Sequence, residues 1–416
     1  MKLPFFDIDE RLALLDDKAM QLVKDKFAQI DEISAYNQQK MLSAFIKNKV
    51  SESHFVGSTG YGYGDRGREV LDSVMADALG AQSCIIRHNF LCGTHALTVA
   101  LFGLLRPGDT MLAATGVPYD TLVGVIGING EKNGSLNDFN INYDEVPLLD
   151  EKPDIDEILR RVKSKHYKLV HIQRSRGYSL RPSLSVDEIG NIANKIKQID
   201  PECIIFVDNC YGEFVEKYEP CSVGTDIIVG SLIKNAGGGI APTGGYIAGR
   251  EDLVEQCANR LTFPGAAGEV GATLGLNREL FMGVYNAPNV TGEALKTAVY
   301  ASALLELLGY EVTPRYDEKR NDIIQCVKLG TREKLIAFCK GMQMGAPVDA
   351  FVAPEPCEMP GYDSEIIMAA GAFTMGSSIE LSADAPLREP FAVWMQGGTI
   401  FNASRVGVLL AINSIL

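Results

Sequence analysis

Gly230-Ser-Leu-Ile-Lys-Asn-Ala-Gly-Gly-Gly239 is the stretch of this chain that decides its fold. Within it, Lys234 follows the apolar run Asp226-Ile-Ile-Val229 and precedes a glycine-rich turn. A second apolar run, Cys203-Ile-Ile-Phe-Val207, is followed directly by Asp208. A Lys and an Asp at the ends of neighbouring strands suit pyridoxal 5'-phosphate (PLP), because the Lys holds it as a Schiff base and the Asp pairs with its pyridinium nitrogen. The sequence therefore predicts a PLP site centred on Lys234 and Asp208.

Short apolar runs alternate with helical stretches along the middle of the chain, a pattern typical of a parallel or mixed sheet that is covered by helices on both faces. In such sheets ligands bind beyond the carboxyl ends of the strands. Arg174, Asp208 and Lys234 all follow apolar runs, so we expect their side chains at one edge. The apolar runs lie at 84–86, 111–114, 169–172, 203–207, 226–229 and 245–248.

The pattern divides the chain into three parts: a helical arm over residues 1–55, a large cofactor-binding domain over 56–290 and a small domain over 291–416. Asp65 is expected to cap a helix that Gly80 ends. A long helix is expected through Gly292–Leu308, after the Ala287-Pro288 step.

A Gly-Thr step at Gly93 and Thr94 opens an apolar-periodic helix. Free backbone N–H groups and the positive end of the helix dipole would face a phosphate there. Ser231, three residues before Lys234, can add a hydroxyl to the same phosphate. The alternative is that Thr94 is only a helix N-cap.

Two further segments carry candidate cofactor contacts. Tyr119 follows the run at 111–114 and can stack on a pyridine ring, with its hydroxyl near the substrate amine. Tyr61 and Arg66 belong to the glycine-rich loop 57–66, which is suited to reach a neighbouring subunit's phosphate. A solvated loop is the alternative for these two residues.

A planar guanidinium can hold the carboxylate of an amino acid at two points. Arg388 and Arg174 are the candidates for this role. Arg388 is preferred because it lies in the small domain, while Arg174 can instead serve the cofactor side. The sequence leaves the choice between them open.

Composition excludes several classes of function. The 39 basic and 53 acidic residues give a net charge of −14, which argues against nonspecific binding to nucleic acid or to an anionic membrane. No run approaches the roughly 20 apolar residues that a membrane helix needs, and the acidic N-terminus does not fit a secretory signal. Nine cysteines without a C-x-x-C pair predict neither a zinc site nor a disulfide framework, and a reduced, cytoplasmic location is expected. No early G-x-G-x-x-G supports a dinucleotide-binding fold.

Several longer motifs resemble one family, the bacterial proteins described as aluminium resistance protein or methionine gamma-lyase-like, a branch of the PLP enzymes of cystathionine and methionine metabolism. The resemblance runs from about residue 55 almost to the C-terminus. The motifs are Gly-Thr-His-Ala (93–96), Leu-Arg-Pro-Gly-Asp (105–109), Pro-Tyr-Asp-Thr-Leu (118–122), Gln-Arg-Ser-Arg-Gly-Tyr (173–178), Val-Asp-Asn-Cys-Tyr-Gly-Glu-Phe (207–214), Gly-Ser-Leu-Ile-Lys-Asn (230–235), Met-Pro-Gly-Tyr (359–362), Ser-Ile-Glu-Leu-Ser-Ala-Asp (378–384) and Gln-Gly-Gly (396–398).

This resemblance implies an α/β protein with the PLP-dependent transferase type I (aspartate aminotransferase-like) fold, a mixed seven-stranded sheet and a smaller α/β C-terminal domain. It also implies a homotetramer, a dimer of dimers whose active sites are shared across each dimer. By the same resemblance Lys234 is the Schiff-base lysine, Asp208 the pyridinium partner and Tyr119 the stacking residue, while Gly93, Thr94 and Ser231 hold the phosphate. Tyr61 and Arg66 match the family's contact across the dimer with altered spacing.

The predicted function is that of a PLP-dependent carbon–sulfur lyase acting on a sulfur amino acid. Lys234 takes the α-proton and Tyr119 is the candidate acid/base for the leaving thiol. Two alternatives stay open: a PLP-dependent aminotransferase, and a weakly catalytic PLP-holding protein in stress tolerance. The choice between β- and γ-elimination also stays open.

Overall fold

The computed structural model describes residues 4–130, 133–358 and 364–416. The chain forms two compact units, one comprising Asn37–Ala287 and the other Pro288–Leu416 together with the residues up to Tyr36. The Met-Pro-Gly-Tyr motif at 359–362 lies outside the described residues.

The N-terminal segment forms two helices, α1 (Glu10–Leu22) and α2 (Lys24–Lys47). Residues up to Tyr36 group with the C-terminal unit instead of forming a separate arm. A buried ion pair explains this grouping: both carboxylate oxygens of Asp16 in α1 accept hydrogen bonds from Arg405, at 2.7 and 2.6 Å. The Tyr300 hydroxyl donates to the same carboxylate at 2.7 Å, so the buried charges are paired and hydrogen-bonded.

The larger unit is built on a mixed seven-stranded sheet, as the resemblance implies. Five strands run parallel in the order β8-β7-β6-β2-β3, and β9 joins β8 and β1 by antiparallel pairing. Two short strands, β4 and β5, form a separate hairpin. The strands are β1 (Ser83–Arg87), β2 (Thr110–Ala113), β3 (Asn142–Glu145), β4 (Leu148–Leu149), β5 (Lys152–Pro153), β6 (Leu169–Gln173), β7 (Ile204–Asp208), β8 (Ile227–Ser231) and β9 (Gly245–Gly249).

Helices cover both faces of this sheet, which is why its central strands read as continuous apolar runs. One apolar cluster joins alternate strand residues to α3, α6 and α7, and the other joins the remaining strand residues to α4, α5 and α8. These helices are α3 (Arg66–Leu79), α4 (Gly93–Leu104), α5 (Asp120–Ile126), α6 (Ile155–Ser164), α7 (Val186–Ile199) and α8 (Glu251–Leu261).

Both predicted ends of α3 are confirmed. The Asp65 carboxylate accepts from the Arg68 N–H at the N-terminus of the helix. Gly80 ends the helix with φ +68°, a left-handed conformation that costs glycine little.

The prediction for the long helix was wrong about its start. The helix α9 spans Asn277–Leu307 and continues through Pro288. A proline inside a helix removes one backbone hydrogen bond and costs roughly 3 kcal/mol. The residues before the proline are deeply buried, including Val284 and Ala287, and burial of such side chains can offset that cost.

The smaller unit contains an antiparallel five-stranded sheet with the order β10-β11-β14-β13-β12. Helices α10 (Arg332–Met344) and α11 (Phe401–Asn413) follow β11 and β14 in sequence. The strands are β10 (Glu311–Thr313), β11 (Gln325–Lys328), β12 (Ile366–Ala369), β13 (Ser382–Pro386) and β14 (Ala392–Gln396).

Candidate active site

The parallel strands of the larger unit deliver the predicted residues to one edge of the sheet. Asp208 is the last residue of β7, and Ser231 is the last residue of β8. Lys234 follows Ser231 by three residues and is half-buried. The strand ends therefore bring the predicted lysine and aspartate together, because β7 and β8 pair directly.

The N-terminus of α4 lies against the end of β8. A Cβ atom placed on Gly93 would come within 3.1 Å of the Ser231 Cβ and 3.4 Å of the Cys210 Sγ, so glycine permits a close approach. The Ser231 Oγ is fully buried and has no hydrogen-bond partner among the residues that the structure describes. The N-cap residue Cys92 makes no side-chain capping hydrogen bond to the first turn. An orphaned hydroxyl beside a helix N-terminus is a donor set that fits a phosphate dianion.

The Thr94 side chain connects two helices of the larger unit. Its Oγ1 forms a hydrogen bond with the Thr121 Oγ1 at 2.7 Å and so joins α4 to α5. The hydroxyl is therefore occupied, and a contribution of Thr94 to phosphate binding rests on its backbone N–H in the first turn of α4.

Tyr119 lies directly before α5, at the end of the loop that follows β2. Its ring packs against Gly177, where a Cβ would approach to 3.1 Å, and against Tyr178 at a centroid distance of 5.8 Å. Gly177 has φ +56°, so the close approach and the backbone conformation both favour glycine. The loops after β2 and β6 thus meet around Tyr119.

Lys234 sits over an aromatic ring that the sequence analysis missed. Its Nζ lies 4.1 Å from the centroid of Tyr211, a cation–π distance. Burial alone would lower the pKa of Lys234, but the acidic side chains around it, which include Cys210, Tyr211, Asp208 and Glu213, raise it overall. Tyr211 has φ +68°, a backbone conformation that is unusual for a residue with a side chain. Its position three residues after Asp208 was the signal available in the sequence.

Backbone hydrogen bonds fix Asp208 at the end of β7. Its Oδ1 accepts the Cys210 N–H at 3.1 Å, and its backbone carbonyl accepts the Arg174 N–H at 3.0 Å. The side chain is nearly buried at the strand end. A fixed carboxylate at this edge is the group that a protonated ring nitrogen needs as a partner.

Arg174 occupies a structural position, which argues against the substrate-binding role considered for it. Its guanidinium is fully buried and forms ion pairs with Glu216 and Glu219, both at 3.2 Å. It also donates to the Asn209 Oδ1 at 2.8 Å. A guanidinium engaged in this way is not free to hold a substrate carboxylate at two points. The sequence around Arg174 does not indicate that its partners are Glu216 and Glu219.

Tyr61 and Arg66 lie on the surface in this chain. Tyr61 is 73% exposed and stacks on Tyr63 at a centroid distance of 5.7 Å. Their loop is anchored from inside by the buried Arg68, which donates to the carbonyls of Gly62 and Gly271 at 2.8 Å. The loop is therefore ordered by its own unit, and its predicted contact with a neighbouring subunit stays a prediction.

Arg388 belongs to the smaller unit, in the exposed turn between β13 and β14. Its backbone closes that turn, since its carbonyl accepts the Phe391 N–H at 2.8 Å. Its role as the ligand of a substrate carboxylate stays a prediction.

His171 is a buried titratable residue that the sequence analysis did not single out. It lies on β6 one pleat away from Gln173, the register partner of Asp208. Burial lowers its pKa to about 4, although the nearby Asp208 acts in the opposite direction. Neither ring nitrogen has a hydrogen-bond partner within the described part of the chain. The imidazole is therefore neutral at pH 7.

This buried imidazole predicts an acid-sensitive fold. An unfolded histidine has a pKa of about 6.5, so the unfolded chain binds the proton more readily than the folded one. The contribution is complete above pH 6.5 and is lost as the pH falls toward about 4, with a total of about 3 kcal/mol. Urea unfolding at pH 7.5 and at pH 5.0 should show the larger part of this loss, about 2 kcal/mol, and His171→Gln should show less of it. An equal pH dependence in both proteins would contradict the assignment.

The described residues show neither a metal site nor a membrane-spanning helix. Residues 4–130, 133–358 and 364–416 contain no group of three or more His, Cys, Asp or Glu side chains arranged to hold a metal ion. In the same ranges, no helix has both the length and the apolar character needed to cross a membrane.

This chain is similar to known proteins in both sequence and structure. The sequence profile of the methionine gamma-lyase family matches residues 13–416. The Bacillus subtilis (strain 168) protein YnbB, itself uncharacterised, is 46% identical over 416 residues. The aligned region covers 99% of this chain and 99% of YnbB. The crystal structure of a carbon–sulfur lyase involved in aluminium resistance from Clostridium novyi NT is 50% identical, with a TM-score of 0.95 over 98% of this chain and 97% of the other.

A more distant structure bears on the fold alone. The PLP-dependent protein YhfS from Escherichia coli is 17% identical, with a TM-score of 0.62 over 91% of this chain and 95% of the other. The mixed seven-stranded sheet and these neighbours confirm the predicted fold, that of the type I PLP-dependent enzymes. The resemblance to the aluminium resistance and methionine gamma-lyase-like proteins is confirmed as well.

Proposed function

This chain belongs to the methionine gamma-lyase family, and we propose that it is a PLP-dependent carbon–sulfur lyase acting on a sulfur amino acid. The observation that carries the proposal is the buried, unpartnered Ser231 Oγ beside Gly93, found in the described part of the chain between the α4 N-terminus and Lys234. An orphaned donor at that place fits a phosphate, and the amine of Lys234, three residues after Ser231, fits an aldehyde.

In the proposed holoenzyme, three sets of residues hold PLP. The first turn of α4, at Gly93 and Thr94, and the Ser231 hydroxyl bind the phosphate. Lys234 binds the aldehyde carbon covalently, and Asp208 pairs with the ring nitrogen. Tyr119 stacks on the ring from the loop after β2.

When bound, PLP supplies an electron sink that stabilises negative charge at the substrate Cα. With PLP bound, the free amine of Lys234 would accept the α-proton of the substrate. Asp208 would pair with the ring nitrogen and so keep that nitrogen protonated. Tyr119 donates a proton to the sulfur as the carbon–sulfur bond breaks, and a thiol leaves. Hydrolysis then yields a keto acid and ammonia.

We propose further that the active protein is a homotetramer in which Tyr61 and Arg66 of one subunit contact the phosphate held by another. The anchored loop and its exposed Tyr61 support this arrangement. Sedimentation equilibrium at four chain masses would support it, and a stable monomer with full activity would contradict it.

The proposed reaction is tested by product analysis. The protein, loaded with PLP, is incubated separately with L-cystathionine, L-methionine and L-cysteine, and keto acid, thiol and ammonia are measured. Release of keto acid and thiol in equal amounts supports the lyase, and the identity of the keto acid separates β- from γ-elimination. Transfer of the amino group to an added keto acid without thiol release would show an aminotransferase instead. No product from any of the three would favour a PLP-holding role.

Ser231→Ala should weaken PLP binding. The substitution removes the serine hydroxyl that would donate to the phosphate, a charge-assisted hydrogen bond worth about 1.5–3 kcal/mol. The Kd for PLP should therefore rise about 10- to 100-fold. Titration of the apoprotein with PLP measures this change.

Ser382→Ala is the matched control for this variant. The Ser382 hydroxyl is also buried and has no partner in the described ranges, but it lies in the smaller unit on β13. Its loss should leave the Kd for PLP unchanged. Equal Kd values for wild type and Ser231→Ala would remove Ser231 from the phosphate site.

A further inference from the structure

A buried carboxyl, Glu213, lies five residues after Asp208 and has no place in the mechanism above. Its Oε1 accepts a hydrogen bond from the Tyr246 hydroxyl at 2.8 Å. The Tyr246 oxygen in turn accepts from the Asn209 Nδ2 at 3.2 Å. Asn209 is the residue directly after Asp208, so this chain of hydrogen bonds begins at the end of β7.

The same glutamate is tied to the residue after Lys234. The Asn235 Nδ2 donates to the Glu213 backbone carbonyl at 3.0 Å, and the Asn235 side chain is fully buried. The hydrogen-bonded chain therefore runs from Asn209 through Tyr246 and Glu213 to Asn235. We call these four residues the Glu213 chain. Its two ends are the sequence neighbours of Asp208 and Lys234.

The Glu213 chain can pack against β8 because residue 230 is a glycine. Gly230 lies in β8, and a Cβ there would collide with the Glu213 Oε1 and come within 2.5 Å of the Tyr246 Cε1. Glycine inside a strand weakens it and marks a close approach of other groups. The close packing of a carboxyl over β8 is thus obtained at some cost to the strand.

The Asn209 end of the chain is fixed by charged groups. The Asn209 Oδ1 accepts from Arg174 at 2.8 Å, and its Nδ2 also donates to the Glu219 carboxylate at 3.2 Å. Within the chain, burial raises the pKa of Glu213 to about 8, so the carboxyl is neutral near pH 7. Its Oε2 has no hydrogen-bond partner among the described residues.

Apolar side chains in place of both Glu213 and Tyr246 would fill the same space without an unsatisfied carboxyl oxygen. The Glu213 chain instead retains an unsatisfied oxygen, so it adds little to the free energy of unfolding. It does fix the positions of the residues at its two ends.

We infer that Glu213 and Tyr246 are positioning residues, which fix Lys234 relative to Asp208 through Asn235 and Asn209. The inference rests on the proposed function, because the two residues it positions are the proposed ligands of PLP. Neither Glu213 nor Tyr246 contacts the substrate in this assignment.

The test measures how the protein holds PLP, independently of turnover. The variants are Tyr246→Phe, Glu213→Ala and Glu213→Gln. Each apoprotein is titrated with PLP, and the circular dichroism of the bound cofactor at about 420 nm is recorded per bound PLP. This signal depends on the orientation of the cofactor in its asymmetric site, and a loss of stability alone does not change it.

Tyr246→Phe and Glu213→Ala should each raise the Kd for PLP about tenfold and reduce the induced circular dichroism about twofold. Glu213→Gln should stay within about twofold of wild type in Kd, because an amide has the shape of the neutral acid and keeps the acceptor for Tyr246.

Tyr143→Phe is the matched control. Tyr143 lies on β3 and donates to the Glu145 Oε2 at 2.6 Å, another tyrosine–glutamate pair of the same unit. It should leave both readouts at wild-type values.

Wild-type readouts in Tyr246→Phe, with only a lower melting temperature, would overturn this inference and leave the proposed function intact. Equal losses in Tyr143→Phe would overturn it as well, since the effect would then be a general one. A wild-type apoprotein that binds no PLP would overturn the proposed function and, with it, this inference. If Glu213→Ala does not fold, Tyr246→Phe decides the question by itself.

Discussion

Lys234→Ala should abolish the activity and the absorbance of bound PLP together. The substitution removes both the covalent attachment and the base for the α-proton, and loss of a positioned base alone costs 10²- to 10⁴-fold. We therefore expect kcat to fall by about 10³-fold or more, and the band at about 420 nm to disappear. A stopped assay for keto acid and a spectrum of the PLP-treated variant measure the two effects.

Lys334→Ala is the matched control for this experiment. The Lys334 amine also lies over an aromatic ring, 4.9 Å from the centroid of Tyr310, but in the smaller unit. Its removal should leave the spectrum unchanged. Residual activity in Lys234→Ala above one tenth of wild type would show that another group is the base.

Asp208→Asn should retain PLP on Lys234 and lose most of the activity. The amide keeps the oxygen that accepts the Cys210 N–H, so the local backbone is preserved. It loses the negative charge opposite the ring nitrogen. Removal of one preorganised electrostatic partner typically costs 10²- to 10³-fold in kcat, and we expect a loss of about that size.

Asp226→Asn controls for the removal of a buried carboxylate from the same sheet. The Asp226 Oδ2 accepts the Ile205 N–H at 2.7 Å, and the carboxylate pairs with Arg250 and Lys197. Its amide variant should lower the stability and leave kcat within about threefold of wild type. Full activity in Asp208→Asn, with PLP bound, would remove Asp208 from the electron-sink role.

The strand ends explain why so much of the site could be predicted from sequence. Asp208 and Lys234 follow uninterrupted apolar runs, and the parallel pairing of β7 with β8 then places them at one edge. The same holds for Gly93, because a glycine before an apolar-periodic helix marks a helix N-terminus. These features are local in sequence, so their pattern carries the information.

Features that depend on packing between distant segments were missed or mistaken. The helix α9 passes through Pro288 because burial outweighs the local preference. Arg174 has acidic partners 42 and 45 residues away, which no motif around it announces. Tyr211, Glu213 and Tyr246 likewise owe their places to contacts across the sheet.

Locating the PLP attachment tests the central claim most directly. The PLP-treated wild-type protein is reduced with borohydride, digested and analysed by mass spectrometry for phosphopyridoxyl-lysine. The account predicts that the modification lies on Lys234. Modification of a different lysine, or of none, would contradict the assignment of this edge of the sheet as the site for PLP.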